Sequence, residues 1–253
     1  MRICNTETFE KLKIRPVNSK TFFGPCPENK AELKELIGER VLKYGINCNL
    51  NDIDVSKIED MSSLFFGLFE FNGDISRWDV SNVKDMQYMF YECCKFNGDL
   101  SNWNTSNVMD TRYMFYDCVC FNNDISRWDM SNVKDMSNMF DTCIKFNQNI
   151  GDWDVSNVEK MDEMFINCNA FDQNLNNWDI SKVMSMYRMF QNCTKYNQPM
   201  DLWGDKLNSN NVDCIFWGCK KFNQNISNWD VLYIKHDAMF VGCPIDKNNA
   251  PRL

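Results

Sequence analysis

The sequence has little of the chemistry that most enzymes use. His236 is the only histidine among the 253 residues, and only 10 residues are glycine. A mechanism that needs a histidine base would depend on this one side chain, and no glycine-rich loop suited to holding a phosphate is present. Cys93 and Cys118 follow acidic residues and lack the basic neighbour that lowers a thiol pKa. We therefore expect no enzyme, no catalytic residues and no cofactor.

Long apolar runs and clusters of basic residues are missing as well. No run of about 18 apolar residues occurs, which predicts that the chain does not insert into a membrane. The net charge is -8, from 35 acidic and 27 basic side chains, and the basic residues are scattered. Nucleic acid and anionic membranes select for basic patches, so neither is expected as a partner. The polar start from Met1 to Glu7 lacks the apolar stretch of a signal peptide, which predicts an intracellular protein.

The most regular feature present is a set of tryptophans spaced 25 residues apart. They are Trp78, Trp103, Trp128, Trp153 and Trp178. Nearly every other apolar position follows the same period, back to Ile46 and on to about Ile245, so we count eight units. Such a period is typical of stacked units, none of which buries its apolar side alone. The expected fold is one elongated α/β repeat solenoid over residues 46–245.

Each unit is expected to combine a helical segment with a short extended one. The apolar residues at helical spacing are Val83, Met86, Met89, Phe90 and Cys93. With Ser81 as an N-cap, they predict a short helix or helical turn over about 82–93. The part of the unit that holds Ile75, Trp78 and Val80 predicts tight turns around an extended segment, with these side chains pointing inward. This alternation implies a leucine-rich-repeat-like, right-handed superhelix.

The two ends of the chain differ from the repeat. The pattern from Pro27 to Tyr44 predicts an amphipathic helix that stops at Gly45 and covers the first unit. Residues 1–45 are therefore expected to form an N-terminal segment and a capping helix. The tail 246–253 is polar, and we expect it to be loose.

Polar side chains also repeat, beside the aromatic start of each unit and after each tryptophan. We expect such ladders to hydrogen-bond the backbone of turns. An alternative is a row of calcium sites at Asp74, Asp99 and Asp124. The row continues as Asn149 and Asn174, whose neutral amides are poor replacements for carboxylates around a hard cation. No metal site is therefore predicted from this row.

A ladder of cysteines follows the phenylalanines of the units by three residues. Its members are Cys93, Cys118, Cys143, Cys168, Cys193, Cys219 and Cys243. One sulfur per unit forms a line rather than a cluster, so we expect buried, reduced thiols, with disulfides between neighbours or bound metal as alternatives. Cys94, Cys120 and Cys214 lie off the ladder and are expected to be more exposed.

Positions that vary between units are candidates for recognition, because a passive spacer needs only solvated polar residues there. Aromatic and basic side chains gather in the variable positions of the first full units. The possible partner-binding residues are Tyr88, Tyr91, Arg112, Tyr113 and Tyr116. We expect a non-enzymatic scaffold for protein–protein interaction, with the partner and the oligomeric state open. The alternative is a structural, assembly or surface-adhesion protein without a specific soluble ligand.

The motif Asp-Ile-Ser-x-Trp-Asp-Val-Ser-Asn-Val-x-x-Met-x-x-Met-Phe occurs at 74–90 and, with Met130 in place of Val, at 124–140. It closely resembles the BspA-like family of leucine-rich-repeat surface proteins, whose 25-residue variant is domain of unknown function 285, the mycoplasma lipoprotein repeat. The resemblance covers about residues 30 to 243. It implies a non-enzymatic scaffold for adhesion or protein contact and brings no catalytic motif. Similar repeats occur in large DNA viruses and protists, and an unexported, cysteine-rich copy fits an intracellular setting such as host cytoplasm or a virion.

Overall fold

The structure is a computed structural model that describes residues 24–207 and 211–252. Within these ranges, helix is confined to α1, Lys30–Tyr44, and to one 3-10 helix, Asp201–Lys206. Tight turns and isolated parallel bridges make up most of the remainder. None of the described helices is both long and apolar enough to cross a membrane. Most of the predicted N-terminal segment lies outside the described residues.

Helix α1 begins later than the sequence pattern predicted. The N-cap is Asn29, whose side chain accepts a hydrogen bond from the backbone N–H of Glu32 at 3.1 Å. The backbone N–H of Glu28 donates to the Glu32 carboxylate at 2.8 Å. The side chains of Asn29 and Glu32 therefore each accept a backbone N–H at the start of the helix. Pro27 therefore precedes the helix. The predicted stop at Gly45 is confirmed, with φ 96° and its N–H bonded to Val41.

Helix α1 packs against the first repeat unit. Leu33 and Ile37 are buried and belong to the same apolar cluster as the repeat core. The Lys30 ammonium lies 2.7 Å from the Asp60 carboxylate. These contacts place the apolar side of α1 over the end of the repeat, where an unpaired unit would otherwise leave its core side open to water.

The repeating units lie side by side in register. Parallel bridges in one column join successive units over part of the stack, and the bridged residues are Asp60, Asp85, Asp110, Asp135, Lys160 and Ser185. Backbone hydrogen bonds follow the same course: the N–H of Met61 donates to the carbonyl of Asp85 at 2.9 Å, and that of Phe65 to the carbonyl of Met89 at 2.9 Å. Each unit therefore satisfies many of its backbone groups on the next unit.

The helix predicted over residues 82–93 is not formed, and consecutive tight turns replace it. The N–H of Phe90 donates to the carbonyl of Met114 in the next unit at 2.9 Å, and not to a residue one helical turn earlier. Tyr88 and Glu92 have φ of 56° and 58°, a left-handed conformation that an α-helix does not contain. The apolar residues at this spacing do form one buried side, but the hydrogen bonds between units determine the backbone conformation.

Columns of large side chains fill the interior of the stack. The inner column, as we call it, consists of Phe65, Phe90, Phe115, Phe140, Phe165, Phe190 and Phe216, all fully buried. The rings of Phe90 and Phe115 are almost parallel, with centroids 5.4 Å apart. The indole N–H of Trp128 donates to the carbonyl of Leu100 at 3.0 Å, which satisfies the one polar atom of a buried ring. The side chains predicted to point inward are all buried, namely Ile75, Trp78 and Val80.

An asparagine ladder runs beside the aromatic columns and reaches the chain's tail. The N–H of Asn97 donates to Oδ1 of Asn72 at 2.8 Å, and the same bond recurs in later units. At the far end, the N–H of Asp246 donates to Oδ1 of Asn223 at 2.7 Å, and the N–H of Ile226 reaches the carbonyl of Asn249 at 2.8 Å. The expectation of a loose tail was therefore wrong, because these residues continue the ladder.

Candidate functional site

Aromatic side chains from the variable positions lie against one another at the surface. The ring of Tyr88 stacks on that of Tyr113 with centroids 4.8 Å apart, and Tyr91 stacks on Tyr116 at 4.5 Å. Tilted contacts join the two stacks, at 5.8 Å between Tyr88 and Tyr91 and at 6.0 Å between Tyr113 and Tyr116. The structure therefore brings together the four tyrosines that the sequence analysis singled out.

Phe66 extends this group by one ring, and the sequence analysis missed it. Its ring stacks on that of Tyr91 at 4.6 Å, and 51% of the residue is exposed. The signal that could have revealed it is its place 25 residues before Tyr91, in the same position of the first unit. We call Phe66, Tyr88, Tyr91, Tyr113 and Tyr116 the five-ring face.

The turn, and not the identity of the side chain, sets the backbone under the face. Tyr88 and Tyr113 both have φ 56°. The same position has a positive φ in other units, where it is Ser63, Asn138 or Ala238. A left-handed backbone costs energy for any residue with a Cβ, so the repeat imposes this conformation on whatever residue stands there. Tyrosine is therefore not required by the turn.

Arg112 borders the five-ring face, but its charge is already paired. Its Nη2 donates to Oδ2 of Asp110 at 2.6 Å, and its Nε donates to Oδ1 of the same carboxylate at 3.0 Å. Nη2 also lies 3.4 Å from Oε1 of Gln87. The hydrogen bonds to Asp110 raise the pKa of Arg112 above its ordinary value. Among the predicted binding residues, Arg112 is therefore the one without an aromatic ring, and Asp110 holds its guanidinium at the edge of the five-ring face.

Carboxylates lie around the tyrosines. Glu92 and Asp117 directly follow Tyr91 and Tyr116 in the chain. Burial raises the pKa of Tyr116 to about 12, with the charges of Asp141, Asp117 and Glu92 adding to the effect. Burial and the charge of Glu92 also raise the pKa of Tyr91. The phenols therefore keep their protons at neutral pH and present hydroxyl groups beside negative charge.

The stack that contains Tyr116 ends at a buried carboxylate in the next unit. Asp141 is only 8% exposed, and its Oδ1 accepts a hydrogen bond from the Thr142 hydroxyl at 2.7 Å. The Asn138 amide donates to Oδ2 of Asp141 at 3.4 Å and to the Glu163 carboxylate at 2.9 Å. Burial outweighs these bonds and raises the pKa of Asp141 to about 6. Hydrogen-bonded polar residues therefore bound the face on this side.

The cysteine ladder is made of buried thiols from Cys93 to Cys219, whereas its last member, Cys243, is only half-buried, so the expectation of a buried thiol was wrong there. Each of these Sγ atoms lies against the carbonyl of a phenylalanine in the preceding unit, as Cys143 does with Phe115 at 2.9 Å. All described cysteines are free, so the disulfide alternative is not realised among them. Burial raises the pKa of Cys93 to about 12, and a protonated thiol is a poor nucleophile.

The cysteines off the ladder differ from one another. Cys94 and Cys120 are half-buried, whereas Cys214 is only 8% exposed. The prediction that Cys214 is one of the more exposed thiols was therefore wrong. Cys214 has φ 57° and occupies the same left-handed position as Asn138, which is also buried.

The acidic row that suggested calcium sites caps turns. Oδ1 of Asp74, Asp99 and Asp124 each accepts the backbone N–H two residues ahead, at 2.9 to 3.1 Å. Such turns account for the carboxylates without a cation. Across residues 24–207 and 211–252, no group of three or more His, Cys, Asp or Glu side chains is placed to hold a metal ion. His236 Nδ1 lies 2.8 Å from the carbonyl of Ile234.

The units in register, with their columns of buried rings and thiols and their ladder of asparagine amides, define this chain as a repeat protein. A family model described as Mycoplasma protein of unknown function, DUF285, matches residues 38–150 and 119–229. These overlapping matches span most of the chain and the whole five-ring face, so the chain belongs to this family. No curated protein and no solved structure matches the chain.

Proposed function

We propose that this chain is a non-enzymatic scaffold that binds a protein partner through the five-ring face. The proposal includes a BspA-like, leucine-rich-repeat-like right-handed solenoid of about eight units over residues 46–245, with α1 as its N-terminal cap. The bridges and backbone bonds between successive units support this arrangement.

The five-ring face is the observation that carries the proposal. In later units the positions of Tyr88 and Tyr91 are taken by Asn138, Glu163 and Gln191, and the bonds between units persist there. The fold therefore does not need rings at these positions. Tyrosine combines a large apolar ring with a hydroxyl and is enriched in protein interfaces. A cluster of four tyrosines and one phenylalanine over three successive units is typical of a recognition surface.

A triple substitution tests the proposal. In the Tyr88→Ala, Tyr113→Ala, Tyr116→Ala variant we expect the fold to persist, because Ala238 occupies the position of Tyr88 and Tyr113 in the last unit. We expect loss of the partner captured by the immobilised wild-type chain from its native cells, since each interface tyrosine contributes about 2 kcal/mol or more. Circular dichroism measures the fold, and quantitative mass spectrometry measures the capture.

The chain offers a matched control in another variable position of the same region. Asn102, Arg127 and Asp152 are exposed and make no side-chain hydrogen bond or ion pair among the described residues. Their triple replacement by alanine should keep both fold and partner. If the tyrosine variant keeps its partner at full strength, the face is not the interface. If that variant unfolds, the tyrosines are structural, and the alternative of a structural, assembly or surface-adhesion protein is favoured.

A further inference from the structure

Resting on the proposed function, we propose that the partner presents a basic segment whose arginine side chains lie against Tyr88 and pair with Glu92 and Asp117. The five-ring face supplies the aromatic contact, and the two carboxylates supply the opposite charge. The partner is thus defined by chemistry as an arginine-bearing polypeptide.

The first support is negative charge that no described cation neutralises, although Oδ2 of Asp117 accepts a hydrogen bond from the Cys94 thiol at 3.7 Å. Glu92 and Asp117 occupy one position in successive units, and the N–H of Glu92 bonds to the carbonyl of Tyr116 at 2.7 Å. Neither carboxylate forms an ion pair within the described part of the chain. Like charges on neighbouring rungs repel each other. The position is filled by neutral Asn167 and Asn192 in later units, so the repeat does not require these charges.

The second support is the sign of the charges around the phenols. Arg112, the cation that borders the face, is held by Asp110. Burial raises the pKa of Tyr91 and Tyr113, and nearby carboxylates raise it further. The surface around the rings is therefore complementary to a cation brought by a partner.

The third support is that, among the described residues, only one ring stacks face to face on Tyr88. One side of this ring stacks on Tyr113, whereas its contacts with Phe66 and Tyr91 are tilted by 53° and 55°. In the preceding unit the equivalent position is Ser63, which brings no ring to cover the other side. A guanidinium is planar and stacks on aromatic faces, which a compact ammonium does less well. An arginine side chain therefore suits the side of the Tyr88 ring that faces away from Tyr113.

Other polymers fit these features less well. A nucleic acid or an anionic lipid surface would bring phosphates toward Glu92 and Asp117 on a chain of net charge -8. A neutral proline-rich peptide would use the rings and leave both carboxylates without a cation. A basic segment satisfies the rings and the charges together.

The test uses the full chain and a short fluorescein-labelled peptide in which arginine alternates with glycine and serine. The Glu92→Asn, Asp117→Asn variant should fold, because Asn167 and Asn192 stand in the same left-handed position. We expect its affinity for the peptide, measured by fluorescence anisotropy, to fall by about tenfold or more. The control variant Glu35→Gln, Asp152→Asn changes the net charge equally at exposed sites away from the face, and it should bind as the wild type does.

The same titrations contain the results that would overturn the proposal. Equal weakening in the control variant would mean that only net charge matters. A neutral proline-rich peptide that binds as tightly as the arginine peptide, or a single-stranded oligonucleotide that binds more tightly, would also reject it. If the arginine peptide fails while the triple tyrosine variant loses its native partner, the basic segment is wrong and the proposed function stands. If that triple variant also keeps its partner, both proposals fall.

Discussion

Phe115 and Tyr116 are neighbours in the chain, yet they belong to two columns with different rules. The inner column that contains Phe115 is an unbroken run of phenylalanines, every one fully buried. The column that contains Tyr116 starts with Phe66 and Tyr91 and then changes its chemistry. Its later members are Asp141, Ile166, Gln191 and Trp217. The two columns share one backbone and one register, but only the inner column keeps the same residue type in every unit.

The inner column contains side chains that the fold requires, whereas the outer column contains side chains that the fold tolerates. Each inner ring lies against the rings of the neighbouring units, with centroids 5.4 to 5.8 Å apart. Loss of one ring would therefore leave a cavity between two others. The outer position ranges from exposed at Phe66 to buried at Asp141 and accepts side chains of many kinds. Rings that persist there over three units therefore suggest a role outside the fold, which the experiments below examine through stability.

The largest effect is expected from emptying the inner column. Phe115→Ala should destabilise the chain by about 3–5 kcal/mol, because it removes a fully buried ring between two others. Tyr116→Ala should cost about 1 kcal/mol, since that ring is only half-buried. Urea denaturation of both variants measures the contrast. Equal losses would show that the outer rings are structural.

The next effect concerns Asp141, where the outer column becomes buried. Because burial raises its pKa from 3.8 to about 6, the folded state holds a proton that the unfolded state releases. The contribution of Asp141 to stability should therefore fall as pH rises from about 4 to about 6 and stay lowered above that range. Asp141→Asn should remove this slope and stabilise the chain at pH 8 by about 3 kcal/mol. Urea midpoints across this pH range measure it.

The exposed Asp152 supplies the control for that experiment. Asp152→Asn removes the same charge without relieving any burial, so it should leave the pH dependence unchanged. An Asp141→Asn variant with the wild-type slope would mean that Asp141 is ionised in the folded chain without cost.

A smaller effect is expected inside the core, at Tyr196. Tyr196 stands where earlier units have Phe121, Phe146 or Phe171, and it is fully buried. Its hydroxyl has no hydrogen-bond partner in the described structure. Tyr196→Phe should therefore stabilise the chain by about 1 kcal/mol, because it removes a buried unsatisfied group and keeps the ring. A destabilised variant in thermal melting would show that the hydroxyl has a partner after all.

The smallest effect is expected at Arg127, which is exposed beside the buried Trp128. Arg127→Ala should change the free energy of unfolding by less than about 0.5 kcal/mol, since its side chain makes no hydrogen bond or ion pair among the described residues. A loss comparable to that of Phe115→Ala would contradict the assignment of this position to solvent.

Much of this arrangement was predictable, and each failure has its own physical reason. Burial of the Trp128 and Cys143 positions follows from their exact recurrence with the period. The helix over 82–93 was wrong because apolar spacing reports which side is buried and not where the backbone N–H groups bond. Cys214 was misplaced because its position lies at a left-handed turn whose exposure varies from unit to unit. Phe66 was missed because the first unit matches the others in its core more clearly than at its surface.

The sequence by itself determined the period, the buried positions and the variable ones, because apolar residues must recur wherever each unit meets the next. Tertiary structure alone decided that the tyrosines stack into one face with Phe66, that Asp110 neutralises Arg112, and that Asp141 is buried. These outcomes depend on distances between units and on where each side chain turns after leaving the backbone. A period in the sequence determines neither the distances nor the side-chain directions. It places residues in the same column without showing which of them touch, and contact with water or with a neighbour then decides whether each charge is paired.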